Sequence, residues 1–310
     1  MAKSVLARET LCALRTEISR LEGEKTSSLM RRARGEAGWQ HEDDRSLPIR
    51  TGAEHLDSVL GGGLDPAALY EIRSTQTRDN GAASAFALTL GQLAVRERRK
   101  RQSQVPRLLW ISDRVGAGET GRPYGPGLLT HGLSQGTLVH AAPRHLADAL
   151  QIAEAALSVT SFAAVIMEIY GNPRGYGLRE SRRLHLRAKA YGRPFLLLRE
   201  RGEEEASSAL LRFRVEPLPS ASEILPDGRS FADSIGRPAF ALAIEKSRNP
   251  AQPQFFLEWN ADDCLLSELD RNAVFADGRD AHSRAAFSPS SHRQDREDAL
   301  GQVVAFGRAS

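Results

Sequence analysis

Long apolar runs are missing from this 310-residue chain, and with them the simplest route into a membrane. No stretch reaches the ~20 consecutive apolar residues that a transmembrane helix requires. The amino terminus, MAKSVLARETLCAL, has no apolar core followed by a small-residue cleavage site, so secretion is not expected and a cytoplasmic protein is. Cysteine is scarce. Cys12 and Cys264 lie in different parts of the chain and match no metal or redox spacing, so they read as isolated thiols in reducing surroundings. A net charge of +3 excludes a surface dominated by basic groups. Lysine is rare, at five of 42 basic residues, which leaves few candidates for a lysine that grips phosphate. His131, His140, His145 and His185 form no pair at ligand spacing; they read as structural or exposed, and no metal site is expected.

What is present suits a globular protein, with 41% hydrophobic and 26% charged residues. The chain reads as three regions. Residues 1–45 hold an amphipathic helix and a polar linker: Leu11, Leu14, Ile18 and Leu21 recur at helical steps and form one apolar stripe, which must be buried on its own domain or on a partner. Residues 46–260 alternate strand and helix signals. Apolar runs at 68–72, 107–112, 136–141, 162–169 and 194–199 read as buried parallel strands, with helical patterns at 83–97, 144–158 and 178–191. The runs at 211–219, 238–248 and 254–260 follow without helices and read as an antiparallel extension. Residues 261–310 lose periodicity, and the mixed charge, Ser and His content of 277–298 predicts a largely disordered tail.

The most specific stretch is IRTGAEHLDSVLGGGLDPAALYEI, residues 49–72. Thr51, Gly52, Leu56, Asp57, Leu60, Gly61, Gly62, Gly63, Leu64, Glu71 and Ile72 resemble, in order, the segment that precedes the phosphate loop in RecA-family recombinases. RLLWISD (107–113) resembles that family's second core strand, AAVIMEIYG (163–171) its Walker B strand, and 209–219 and 244–260 its later strands. The resemblance covers about 210 residues and implies a RecA-like α/β core: a mostly parallel sheet with an antiparallel extension, preceded by an amino-terminal helix.

The nucleotide site departs from that family. A working phosphate loop reads GxxxxGK[ST], whose lysine reaches the β- and γ-phosphates and whose hydroxyl holds magnesium. Here RSTQTRDNGAASAF (73–86) begins near Ser74 and runs through Asn80 to Gly81, with Ala82 and Ala83 in place of the lysine and the hydroxyl residue. The loop reads as one residue too long, Ser84 comes one step late, and Arg73 and Arg78 lie in it with the wrong reach. The family's water-activating glutamate falls at Val115, its Walker B aspartate at Glu168, and its γ-phosphate sensor near Glu200. Four departures together predict that ATP is neither held nor hydrolysed, because electrostatic stabilisation supplies most of phosphoryl-transfer catalysis.

Nucleic-acid contact is expected to be indirect or weak. Residues 201–208 carry Glu203, Glu204 and Glu205, which oppose a phosphate backbone. RERRKR (96–101) and RESRRLHLRAKA (179–190) read first as solvated helix faces or ends. A leucine-striped helix, the wording ALRTEISRLEG (13–23), the LDSVLGGGL turn and the segment 71–88 resemble the ImuA family of inducible mutagenesis proteins. That resemblance implies a non-catalytic accessory factor of SOS-induced translesion synthesis, working with ImuB, a Y-family polymerase homologue, and an error-prone DnaE-type polymerase, and gathering at the nucleoid when DNA is damaged. Lys246 and Arg248 match the RecA family's cross-interface basic pair and make RecA a further candidate partner. Gln302 and Phe306 bracket a weak resemblance to sliding-clamp peptides in the carboxyl-terminal QVVAF. Two alternatives remain: an active RecA-like ATPase that regulates recombination on DNA, and a SulA-type cell-division inhibitor.

Overall fold

Apolar runs with no polar alternation need cover on both faces, and the chain supplies it by alternating strand with helix. The structure, a computed structural model, describes residues 47–112, 118, 121–134, 136–220, 225, 227–229, 231, 234, 236–246 and 254–270. The strands are β1 (Leu69–Ser74), β2 (Arg107–Ser112), β3 (Leu138–Ala141), β4 (Phe162–Tyr170), β5 (Phe195–Glu200), β6 (Leu211–Leu218), β7 (Ala239–Lys246), β8 (Gln254–Asn260) and β9 (Leu265–Glu268). They form one sheet in the order β3-β2-β4-β5-β1-β6-β7-β8-β9. The helices are α1 (Glu54–Val59), α2 (Asn80–Arg99), α3 (Gly125–Thr130), α4 (Leu146–Ser158) and α5 (Leu178–Tyr191).

Alternate side chains of the central strands enter two cores. Tyr70, Ile72, Trp110, Ile166 and Leu198 pack with α2 on one face, while Leu69, Ile111, Val165, Met167 and Leu197 pack with α4 and α5 on the other. This is the RecA-like architecture the sequence implies, a mostly parallel sheet with an antiparallel extension.

Three boundaries differ from the sequence reading. β6 belongs to the parallel part, since it pairs parallel with β1, and antiparallel pairing begins only between β6 and β7. Residues 201–210 therefore form a crossover strap over β1, although parallel crossovers ordinarily need a dozen or more residues. The core does not end at 260: β9 pairs with β8, Leu266 is buried, and the Leu266 N–H donates to the Thr51 carbonyl. β1 runs on to Ser74 and α2 begins at Asn80, so both elements reach further into the loop than periodicity showed. The expected stripe Leu11, Leu14, Ile18 and Leu21, together with Cys12, Val115, Arg248, Gln302 and Phe306, lies outside the described residues.

The signature at 49–72 proves to be structural. Asp57 Oδ1 accepts from the Thr51 N–H at 2.9 Å and from its hydroxyl at 2.8 Å, pinning the chain entering α1. Leu56 is buried beneath it. Gly63 has φ +133, and a Cβ there would stand 2.5 Å from the Ile49 carbonyl oxygen, across the bridge between Ile49 and Leu64. Only glycine fits that approach.

Candidate functional site

The place where a RecA-like domain would hold nucleotide is the junction of β1 and α2. Residues 75 and 76 lead into a 3-10 turn, Thr77–Asp79, and α2 starts directly after it. Six residues separate Ser74 from Gly81, two more than the four of the motif, so the insertion is one residue larger than expected. Ser74 is buried, and its hydroxyl donates to the Asn80 amide oxygen. Asn80 is itself buried, and its amide nitrogen has no partner among the described residues. Gly81 lies in the first turn of α2, lacks a positive φ and has open space where a Cβ would be, so its backbone does not demand glycine. Ala83 is fully buried and Ala82 packs against the core. Methyl groups thus fill the positions where a phosphate loop has its lysine and hydroxyl.

Of the two arginines read into the loop, one is placed differently and one stays. Arg73 lies in β1, not in the loop. Its Nε and Nη2 donate to Glu245 at 3.1 and 3.0 Å, and Nη1 donates to the Gly202 carbonyl at 2.9 Å. Arg78 is in the 3-10 turn, its exposed side chain 3.7 Å from the buried Asp79 carboxylate. Sequence reasoning passed over Asp79, although it stood in the loop. It is the N-cap residue of α2, where a carboxylate meets the positive end of the helix dipole.

The remaining positions add carboxylates. Glu200 ends β5, fully buried and in register with Ser74. Glu168 sits on β4, where its Oε2 accepts from Trp110 Nε1 and from the Ser112 hydroxyl, both at 3.0 Å. Ser112 Oγ is also 2.9 Å from His140 Nε2. Because the serine proton goes to the carboxylate, the imidazole must be the donor to its oxygen, which is the reverse of what activates a serine nucleophile. Burial, and then Arg122, lowers the His140 pKa, while Glu168 partly offsets both. Nothing in the sequence announces this network, because its members meet only through strand register.

A cleft of about 560 Å³ opens here, with Asn80, Ser84, Trp110, His131 and Glu168 among its walls. The cation lining it among the described residues is Arg122, which comes from the segment before α3 and not from the loop. His131 is buried against Trp259 at 5.6 Å between ring centroids, and burial drives its pKa down to about 4, so it is neutral near pH 7. No group of three or more His, Cys, Asp or Glu side chains suited to a metal occurs among the described residues. The junction is therefore rich in carboxylates and poor in cations from its own loop.

Other sequence candidates resolve into internal contacts. In 96–101, Arg96 donates to the carbonyls of Cys264 and Arg50, Arg98 to that of Phe162, and Lys100 and Arg101 pair with Glu97. Glu204 and Glu205 pair with Arg212 at 3.0 Å and Arg199 at 3.3 Å, while Glu203 and Glu204 remain exposed. Those arginines flank Glu71, fully buried on β1. It accepts from Arg199 Nε and Arg212 Nη2 at 3.0 Å each, and from the Ser207 hydroxyl at 2.9 Å. Glu71 thus clamps the 201–210 strap onto the sheet. Lys246, half buried, donates to the Ser207 carbonyl.

No protein-family model matches this sequence, and no curated protein matches it. Among solved structures, the chain is similar to one described as the RadB recombinase, at 14% identity and a TM-score of 0.43, over 72% of this chain and 100% of that one. The fold assignment rests on the strand order and helix placement given above. That order is the RecA-like core.

Proposed function

We propose that this protein is a non-catalytic accessory factor, a scaffold of SOS-induced error-prone translesion DNA synthesis that uses its RecA-like core for protein contacts. Its partners are an ImuB-like Y-family homologue and an error-prone DnaE-type polymerase, with RecA as a further one. It is a cytoplasmic protein that gathers at the nucleoid after DNA damage and takes no nucleotide cofactor. One observation carries this reading: the first turn of α2 holds Ala82 and Ala83 behind the carboxylate of Asp79, where phosphoryl transfer needs a lysine and a hydroxyl. The partner contacts are assigned to the stripe Leu11, Leu14, Ile18 and Leu21 on the resemblance to the ImuA family, to Lys246 and Arg248 on the resemblance to the RecA family's cross-interface pair, and to the tail from Gln302 to Phe306 on its weak resemblance to sliding-clamp peptides.

The test purifies the full chain alone and with the three candidate partners, and measures phosphate release from ATP with and without single-stranded DNA. Expected are stable co-purification with a polymerase-like partner, lost when residues 1–45 are deleted, and no turnover above background. Turnover that disappears in Glu168→Gln would establish the ATPase alternative and sink the scaffold.

A further inference from the structure

A second cavity lies on the opposite side of the sheet from the α2 cleft, between α5 and the strap that crosses β1. It measures about 350 Å³, within the range of small-ligand sites, and is walled by Arg182, His185, Ser207, Ser208 and Lys246 over an apolar floor of Ala209 and Leu210. Two basic side chains and two serines line it, and no acidic side chain is among its lining residues. No carboxylate pairs with Arg182 or Lys246 among the described residues. Arg182 is exposed, and the Lys246 ammonium donates to the Ser207 carbonyl. The Ser207 hydroxyl is committed to Glu71, whereas the Ser208 N–H is held by the Ser181 hydroxyl at 3.0 Å, which fixes that residue's backbone at the pocket edge. Burial, and then Arg212, lowers the Lys246 pKa with only partial relief from Glu71, so its ammonium sits short of compensating negative charge. The surroundings are basic as well. Arg179, Arg187 and Lys189 are exposed on the same helix, while Arg183 is paired with Glu154.

We propose that this pocket binds a phosphate ester, with Arg182 and Lys246 as the charged contacts and the Ser208 hydroxyl as a neutral donor. A point-charge ammonium, a guanidinium and a hydroxyl approaching from separate elements match the three oxygens of a tetrahedral phosphate. A planar carboxylate is met more simply by one bidentate arginine fork. The site is independent of the phosphate-loop position and stands whether or not the protein is a scaffold. It also gives the basic run at 179–190 a use that composition alone did not.

The experiment titrates the full chain with inorganic phosphate by calorimetry, and with a fluorescent single-stranded oligonucleotide by anisotropy. The variants are Arg182→Glu and Lys246→Met. Arg182 is exposed, so its replacement leaves folding intact, and circular dichroism checks both proteins. Saturable phosphate binding, weakened at least about ten-fold in each variant, is expected, since a charge-assisted hydrogen bond is worth at least that factor. If the oligonucleotide also binds, is displaced by phosphate and weakens in the same variants, the phosphate belongs to a nucleic-acid backbone. If inorganic phosphate alone binds, it belongs to a small ester. No saturable phosphate binding, equal affinity in Arg182→Glu, or oligonucleotide binding that phosphate does not displace would each overturn the proposal.

Discussion

Replacing Glu71 by glutamine tests the reasoning about the strap most severely. The change keeps the size of the side chain but removes the charge that two guanidiniums share, Arg199 and Arg212, which are 1% and 2% exposed. Breaking a buried ion pair from one side leaves an uncompensated charge, at a cost of about 3–5 kcal/mol. Here two guanidiniums lose a partner, but Glu205 and Glu204 still reach them from outside, which holds the loss within that range rather than doubling it. For a domain of this size each kcal/mol lowers Tm by roughly 2–4 °C, so Glu71→Gln should melt about 6–20 °C lower by circular dichroism. A companion variant replaces all three buried groups: Glu71→Leu, Arg199→Leu and Arg212→Met. Exchanging a whole buried network for apolar groups of similar volume is often neutral, so this protein should regain most of the lost stability. A Glu71→Gln variant that melts within about 2 °C of the parent would refute the clamp. A triple variant no better than the single would show that the charges hold something other than the strap.

Further expectations follow from the same structure. His131 is buried neutral with a pKa of about 4, so the unfolded chain binds its proton first as pH falls. Stability from this residue is complete above the ordinary histidine range and is lost between about pH 6.5 and 4, with about 2 kcal/mol gone at pH 5. Urea midpoints at pH 7 and pH 5 measure it, and an unchanged difference in His131→Phe would contradict the assignment. Ending the chain after Asn260 removes β9, burying Leu266, and the Glu268 carboxylate that accepts the His55 N–H at 2.6 Å. Together these should cost about 2–4 kcal/mol, read as a lower urea midpoint. Gly63→Ala should destabilise far more than Gly81→Ala, because one Cβ meets the Ile49 carbonyl and the other meets open space. Equal melting temperatures for the two would show that the loop before α1 can relax.

Part of this protein was legible from its residues alone. The order and kind of the elements followed from apolar periodicity, because a strand buried on both faces and a helix with one apolar stripe leave different spacings. The helix at 178–191 and the strand at 107–112 came out with the bounds they have in the fold. That Ala82 stands where the motif has its lysine and Ala83 where it has its hydroxyl was also plain, since identity at a position needs no geometry. Other features depended on groups that meet only when distant segments pair. β6 reads like its antiparallel neighbours until it is placed beside β1. β9 has too few apolar residues to announce itself and is held by β8 and by Thr51. In the acidic run at 203–205, Glu204 and Glu205 find counter-charges in Arg212 and Arg199, which belong to strands on either side of the strap. Charge is local in sequence, but its compensation is a property of the fold, since Coulomb attraction depends on distance through the folded chain and not along it.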